Sequence, residues 1–380
     1  MQPTVVLHLL SAEGLTGPAR LVLSLASQLR ATSCRCHLSV FVGTRGRTSP
    51  VLEAAVQRNL WASGIVSYHA FDLSCVARTR RVLRDTGAHL LHSHGYRSDI
   101  IGYLACRPLH IPQVATVHGW TRCSTRVRLY EKLDRVLLGR LDGVVAVSQA
   151  MARSLEGGGV RPERIRVIPN SIEPERFRSE PTGRLRQILR VDGCAELVGS
   201  VGRLSSEKGH RFLLQAGVWL LSQRPALHLV LIGDGPEHDN LRNQADRLGI
   251  GSRVHLLGQR PDVEDLVADL DVVVFPSLSE GLPIALLEAW CLARPVVATA
   301  VGGIPETLSD GENGRLVPPA DADALARSVL ELLKSPLHAK ALGRGGREAA
   351  LTRHVPGVAA TAMIDFYRDV LLERAPQSGH

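Results

Sequence analysis

The sequence predicts an α/β protein of two domains, each a parallel sheet covered by helices. The chain has 380 residues with 44% apolar content, enough for two cores rather than one. Short runs rich in Val, Ile and Leu alternate with longer amphipathic segments, the pattern of strands joined by crossover helices. The alternation lapses once, from Pro169 to about Glu196, where Pro, Arg and Glu dominate. That stretch reads as a linker with one short helix.

In chain order, the first strand is expected at 5–10, followed by a loop containing Gly14 and Gly17 and an amphipathic helix over 19–29. Further strands are expected at 37–42, 89–92, 113–117, 143–147 and 165–168. Beyond the linker the alternation resumes at 197–201 and continues at 227–232, 254–257, 271–275, 295–299 and 314–317. The tail sets Met363, Phe366, Tyr367, Val370 and Leu371 at helical spacing, so a helix from 359 to about 373 should pack across a domain interface. The expected domains are 1–175, with the C-terminal helix 358–380 packing back on it, and 176–357.

Composition narrows the function. No run approaches 18 apolar residues, and residues 1–10 lack the basic start and cleavage site of a signal peptide, so a cytoplasmic protein is expected. Seven cysteines without a C-x-x-C pair argue for reduced thiols rather than a disulfide framework. Residues 1–175 hold 22 Lys/Arg against 12 Asp/Glu, an excess of ten positive charges, whereas residues 176–380 hold 23 against 25. The first half therefore faces something anionic. With only 4% aromatic residues there are few stacking surfaces for bases, so no nucleic acid is expected, and a membrane surface or phosphorylated acceptor fits better.

The most informative motif is Ser279-Glu280-Gly281-Leu282-Pro283-Ile284-Ala285-Leu286-Leu287-Glu288. It follows an apolar strand and sets two carboxylates either side of a glycine turn and a helix start. Gly281 lets the chain turn tightly, and Pro283 suits the first helical position because its missing N–H is not needed there. The free N–H groups of such a helix start attract a phosphate or sugar oxygen, and each carboxylate can accept hydroxyl hydrogen bonds. Ligands of open parallel sheets collect beyond the strands' carboxyl ends, where this loop should lie. By itself the segment is equally compatible with a capped helix bearing two surface glutamates.

A second motif, Gly202-Arg203-Leu204-Ser205-Ser206-Glu207-Lys208-Gly209, places a guanidinium and an ammonium beside a helix start after strand 197–201. A diphosphate suits that arrangement. Gly233-Asp234-Gly235-Pro236 and Gly258-Gln259-Arg260 fall on the same rim, and the latter could border a nucleotide base. Asp269-Leu270-Asp271 has metal-like spacing but precedes a buried strand, and His89, His92 and His94 have no carboxylate or Cys at ligand spacing. No metal site is expected.

Together with Thr116-Val117-His118-Gly119, Val147-Ser148, Val167-Ile168-Pro169-Asn170 and Phe275-Pro276-Ser277, these motifs make the chain resemble a retaining glycosyltransferase of family 4 over nearly its whole length. The resemblance is to the bacterial exopolysaccharide, capsule and lipopolysaccharide type. It implies the GT-B fold: two Rossmann-like domains facing a central cleft, with a C-terminal helix crossing back to the first. It implies that Arg203 and Lys208 hold the donor diphosphate, that Glu280 contacts the transferred sugar and Glu288 the ribose, and that His118 lies near the sugar across the cleft. Gly281, Leu282, Pro283 and Ile284 would line the sugar and distal phosphate, and Gly14 and Gly17 would let the first loop approach the donor. Gly258 and Arg260 complete the expected donor set. The chain departs from the family in the separated Gly14 and Gly17 and in Asn170-Ser171-Ile172-Glu173, where the family has Asn-Gly-Val-Asp.

The implied activity is hexosyl transfer with retention, from a UDP- or GDP-sugar to an anionic, lipid-linked glycan acceptor in cell-surface polysaccharide synthesis, with no cofactor and no metal. A sugar-nucleotide 2-epimerase of the same fold and a non-catalytic relative are the competing readings. Intact His118, Arg203, Lys208, Glu280 and Glu288 argue against the latter. Over 121–141, Arg122, Arg126, Arg128, Lys132, Arg135 and Arg140 alternate with apolar residues. That pattern is a basic amphipathic helix, expected to hold the protein peripherally on the inner face of the plasma membrane.

Overall fold

The computed structural model describes residues 3–12, 14–30, 32–43, 49–69, 72–119 and 134–374. The chain divides into two compact units, Met1–Ser171 with Pro356–His380, and Ile172–Val355.

Among the described residues the first unit carries a parallel seven-stranded sheet of order β3-β2-β1-β4-β5-β6-β7. Its strands are β1 Thr4–Leu10, β2 Cys34–Val42, β3 Trp61–Val66, β4 Leu90–His94, β5 Gln113–Val117, β6 Gly143–Ala146 and β7 Ile165–Val167. Strands β4, β5 and β6 are buried along their whole length; β6, Gly-Val-Val-Ala, reads as an unbroken apolar run for that reason, whereas β4 and β5 include polar residues. Strand β3 was not anticipated. Its sequence, Trp-Ala-Ser-Gly-Ile-Val, lies on the sheet edge with Trp61 and Val66 exposed, and its extended form depends on pairing with β2 from His37 to Val42. Strand β4 begins later than the expected 89–92 and runs on through Ser93 and His94, polar residues that are nonetheless buried.

The tail forms the helix Pro356–Arg374, whose Met363, Phe366, Tyr367 and Val370 bury against Val6, Leu90, Val114 and Val145 of the first unit's sheet. A Cβ on Gly143 would lie 2.4 Å from the Phe366 ring, so the helix and β6 meet closely only because that position is glycine. Arg166 pairs with Asp369 at 2.6 Å on the rim of this contact.

The second unit carries a parallel six-stranded sheet of order β10-β9-β8-β11-β12-β13: β8 Glu196–Val201, β9 Leu227–Ile232, β10 Val254–Leu256, β11 Val272–Phe275, β12 Val296–Thr299 and β13 Arg315–Val317. One core cluster includes Leu213, Leu229 and Leu325; the other includes Trp290, Leu286 and Val273.

The expected linker is instead largely part of this unit. Ile172, Phe177 and Leu185 are buried in the cluster that contains Trp290, and the carboxylate of Asp269 accepts from the N–H groups of Thr182, Gly183 and Leu185 at 2.6, 2.8 and 2.7 Å. These bonds satisfy orphan donors at the start of the helix Arg184–Leu189. Asp271 accepts from Leu197 N–H at 2.8 Å and pairs with Arg186 at 3.1 Å. The carboxylates with metal-like spacing thus hold backbone. Among the described residues no helix is long and apolar enough to cross a membrane.

Candidate active site

In the second unit the strand order reverses beside β8, with β9 on one side and β11 on the other. A crevice opens at the carboxyl ends of strands at such a point. Strand β8 leads into Gly202 and the short turn Ser206–Lys208, then into the helix His210–Gln223; β11 leads into Pro276 to Leu282. The two loops interlock through backbone. Leu278 N–H donates to the Glu207 carbonyl at 2.7 Å, and Gly209, at φ 64, approaches so closely that a Cβ there would lie 2.0 Å from the Pro276 oxygen. From β12, Gly302 (φ 56) passes the Glu280 carbonyl where a Cβ would lie 1.9 Å away, and Gly303 N–H donates to Gly281 at 2.7 Å. Side chains are excluded from these crossings on steric grounds.

On this frame the Lys208 ammonium donates to both oxygens of Glu280, at 2.7 and 2.9 Å, and Ser277 Oγ donates to Glu280 Oε1 at 2.7 Å. The Glu280 side chain is only 7% exposed and that of Lys208 27%. Arg203 is exposed and has no ion-pair partner among the described residues. Thus the structure brings Lys208, Glu280 and Gly281 to one rim, with Leu282 buried behind it. Gly258 joins that rim by accepting from Gly233 N–H at 2.9 Å.

Two local expectations change. Pro283 is not the first helical residue but the cap, with extended ψ of 123°, and the helix runs Ile284–Cys291. The cap suits proline because its fixed φ and absent N–H cost nothing outside the hydrogen-bonded turns. Glu288 then lies just over one turn into the helix. Arg260 is held by Asp262 in a bidentate pair, both bonds at 2.9 Å, and Asp262 also takes Arg184 at 3.0 Å. In the first unit, Gly17 opens the helix Gly17–Leu29, and the Gly14 carbonyl accepts from Thr16 N–H at 2.8 Å.

His118 follows β5. Burial pushes its pKa down to about 4, an effect that the neighbouring Asn170 side chain partly offsets, although neither ring nitrogen reaches a full hydrogen bond among the described residues. Its ring stacks on His94 with centroids 6.1 Å apart. Sequence spacing could not show the rest of this cluster, because the partners come from other strands. His8 Nδ1 lies 3.1 Å from His94 Nε2, His8 Nε2 lies 3.6 Å from Cys36 Sγ, and His92 bridges the hydroxyls of Tyr367 and Thr116 at 2.6 and 2.7 Å. Nitrogens of His8, His92 and His94 fall within 4.8 Å of one another, and burial pushes the pKa of all three down.

Neutral buried histidines set the acid response. Burial holds His8 at about 3 and His37, His118 and His210 at about 4, with His92 and His94 also well below the usual range. Unfolded histidines take up protons near 6.5. Between about 6.5 and 4 the unfolded chain therefore binds more protons, so stability is full above this window and falls as pH drops through it, by up to ~1.4 kcal/mol per pH unit per histidine. Calorimetry should find Tm level from pH 8 to 7 and falling steeply from 6.5 to 5. A level Tm down to pH 5 would mean that these rings are charged or solvated in the fold.

Of the expected amphipathic helix 121–141, residues 121–133 lie outside the described residues. Beyond them, Leu137, Leu138 and Leu141 pack in the first unit's core with Ala146 and Leu155, while Val136 is exposed.

Each half of the chain matches a family model: residues 15–176 match Glycosyltransferase Family 4, and residues 182–349 match Glycosyl transferases group 1. The D-inositol 3-phosphate glycosyltransferase of Acidothermus cellulolyticus is 31% identical over 331 residues, which are 80% of this chain and 73% of that protein. The lipopolysaccharide core biosynthesis glycosyltransferase LpsE of Rhizobium meliloti is 36% identical over 156 residues, 40% of this chain and 45% of that protein. Among solved structures, Anabaena Alr3699/HepE in complex with UDP and glucose shares the fold with a TM-score of 0.84 at 23% identity, covering 96% of this chain and 100% of that one.

Proposed function

The chain belongs to the family 4 and group 1 glycosyltransferases, and from that premise we propose that it moves a hexose from UDP-hexose to a lipid-linked glycan, with retention and without a metal, in cell-surface polysaccharide assembly. The observation that carries this reading is the Lys208–Glu280 pair at the point of strand reversal, with Arg203, exposed and without an ion-pair partner among the described residues, on the same loop as Lys208. It sets two cations where a diphosphate would lie and a carboxylate where a sugar hydroxyl would donate.

In this reading Arg203 and Lys208 neutralise the diphosphate as its bond to the anomeric carbon breaks and the electron pair passes to phosphate oxygen. Stabilising that developing charge is the main electrostatic task, and two fixed cations can perform it. The acceptor oxygen bonds the anomeric carbon on the face the phosphate leaves, and its proton passes to the departing phosphate, so UDP and the extended glycan are the products. Glu280 holds the sugar and orients Lys208. Glu288 takes the ribose, Gly281 to Ile284 and Gly258 line the donor with Arg260 at the base, and His118 with the Gly14–Gly17 loop serves the sugar from the first unit.

UDP is favoured over GDP because HepE, of the same fold, is solved with UDP and with UDP-glucose. A polysaccharide role is supported by the likeness to LpsE, and an anionic, lipid-linked acceptor by the charge excess of residues 1–175. The same excess supports a peripheral place on the inner face of the plasma membrane through 121–141. Thermal shift with UDP, GDP and UDP-hexoses, with and without EDTA, tests the donor. A ligand at 100 times its Kd stabilises by about 2.7 kcal/mol. UDP and one UDP-hexose should raise Tm whether or not EDTA is present, and NMR of the transferred sugar should show the donor's anomeric configuration. No shift with any nucleotide, or a shift abolished by EDTA, would sink the reading.

A further inference from the structure

A cavity of about 320 Å³ lies in the first unit beside the amino ends of β5 and β6, bordered by Tyr103, Arg107, His110, Arg140, Asp142 and Arg374 among others. Ligands of open parallel sheets collect at the opposite, carboxyl ends of the strands, and that is where His118 follows β5. The cavity therefore lies apart from the residues assigned to sugar transfer. Its walls come from three places: the helix Tyr96–Cys106 with the turn after it, the loop before β6, and the last residue of the helix Pro356–Arg374.

Three guanidinium groups meet one carboxylate among the described lining residues, and that carboxylate is already engaged. Asp142 accepts from Arg374 Nε at 2.7 Å and, through its other oxygen, from Gln113 N–H at 2.9 Å, and its side chain is only 15% exposed. This pair fixes Arg374 at the wall. The Arg107 guanidinium sits over the Tyr103 ring, 5.3 Å from its centroid, and Arg164 Nη1 donates to the Leu141 carbonyl at 2.8 Å, which orders the loop that carries Arg140. Arg107 and Arg140 are exposed and have no ion-pair partner among the described residues. Single exposed arginines are ordinary. Three that border one cavity, with Arg374 and Arg107 held in place by Asp142 and Tyr103, make a preorganised cationic wall.

With Arg374 compensated by Asp142, the charges of Arg107 and Arg140 remain for a ligand. A dianion matches them, and the tetrahedral oxygens of a phosphate can accept from several guanidinium forks at once. The cavity is larger than a phosphate and leaves room for a small polar group beside Tyr103. We propose that this cavity binds a phosphate monoester, carried by a small soluble molecule or by a lipid headgroup, at a site separate from those of donor and acceptor. A ligand there ties the end of the helix Pro356–Arg374 to the helix Tyr96–Cys106 and to the loop before β6, so it should stabilise the first unit. The inference stands on this unit alone and does not rest on the glycosyltransferase reading.

Isothermal titration of the full chain with glycerol 1-phosphate, with glycerol as the uncharged control, tests the soluble source. Sedimentation with phosphatidylcholine vesicles, with and without phosphatidic acid, tests the headgroup. Binding of glycerol 1-phosphate marks a soluble ligand, and binding of phosphatidic acid alone marks a lipid. The Arg107→Gln, Arg140→Gln double variant should weaken glycerol 1-phosphate binding at least tenfold, as expected from losing charge-assisted bonds. Arg107→Gln alone serves the vesicle arm, because Arg140 also belongs to the stretch 121–141 proposed for the membrane, and it should weaken phosphatidic acid binding severalfold. Arg203→Ala, at the donor rim of the second unit, should leave both unchanged. Should the Gln variants fail to fold, phenylglyoxal labelling of the unmodified chain read by mass spectrometry still decides, since whichever probe binds should protect Arg107 and Arg140. Neither probe binding, binding that ignores the loss of Arg107, binding abolished by Arg203→Ala, or no protection of Arg107 and Arg140 would each overturn the proposal.

Discussion

Replacing Arg203 or Lys208 by alanine is expected to weaken UDP binding by roughly 10- to 150-fold each, the equivalent of the 1.5 to 3 kcal/mol of a hydrogen bond to a charged group. The two losses should differ in kind. Arg203 is exposed and has no ion-pair partner among the described residues, so its removal subtracts a phosphate contact and little else. Lys208 already holds Glu280 at 2.7 and 2.9 Å. Its removal leaves a buried carboxylate without its cation, beside the place proposed for the phosphates, and the repulsion adds to the lost contact. Lys208→Ala should therefore bind UDP more weakly than Arg203→Ala, and its loss should depend less on salt because Glu280 is shielded from solvent. Isothermal titration at low and high ionic strength reads both effects. Unchanged affinity in both variants would remove the diphosphate from this rim.

How much of this was legible depends on whether the cause lay close in sequence. Strands such as β6 and β11 could be read because burial on both faces leaves a continuous apolar run. The Glu280 to Glu288 segment was legible for a similar reason: its glycine, proline and flanking carboxylates act on their own neighbours. Edge strand β3 was not, since its form comes from pairing with β2 rather than from its own pattern. The stretch after Pro169 misled because its apolar residues are irregularly spaced and its anchor, Asp269, lies 87 residues from Thr182.

Distance in sequence hid parts of the candidate site in the same way. Lys208 and Glu280 were each singled out, but their pairing across 72 residues exists only because β8 and β11 are neighbours. The contacts of His94 with His8 and of His8 with Cys36 likewise need β1 to lie between β4 and β2.

The Lys208–Glu280 pairing also gives Glu280→Gln an expected signature that few other substitutions would share. Glutamine can still accept from Ser277 Oγ, so the loop should keep its shape. It cannot hold Lys208 as an ion pair, which leaves the ammonium free for phosphate. Sugar-free UDP should then bind within about threefold of the unmodified chain, or more tightly, a change under ~1 kcal/mol in the unfavourable direction. Turnover should fall by about 10²- to 10³-fold, the usual cost of removing one preorganised electrostatic contact at the reacting centre. A fall in kcat with UDP affinity retained is the pattern of an interaction made mainly in the transition state. Glu288→Gln should do the reverse, weakening UDP itself through the ribose while a saturating donor restores most of the turnover. Titration of UDP and single-turnover transfer, run on both variants, separate the two carboxylates. If UDP affinity collapses in Glu280→Gln and is untouched in Glu288→Gln, the sugar and ribose assignments are reversed.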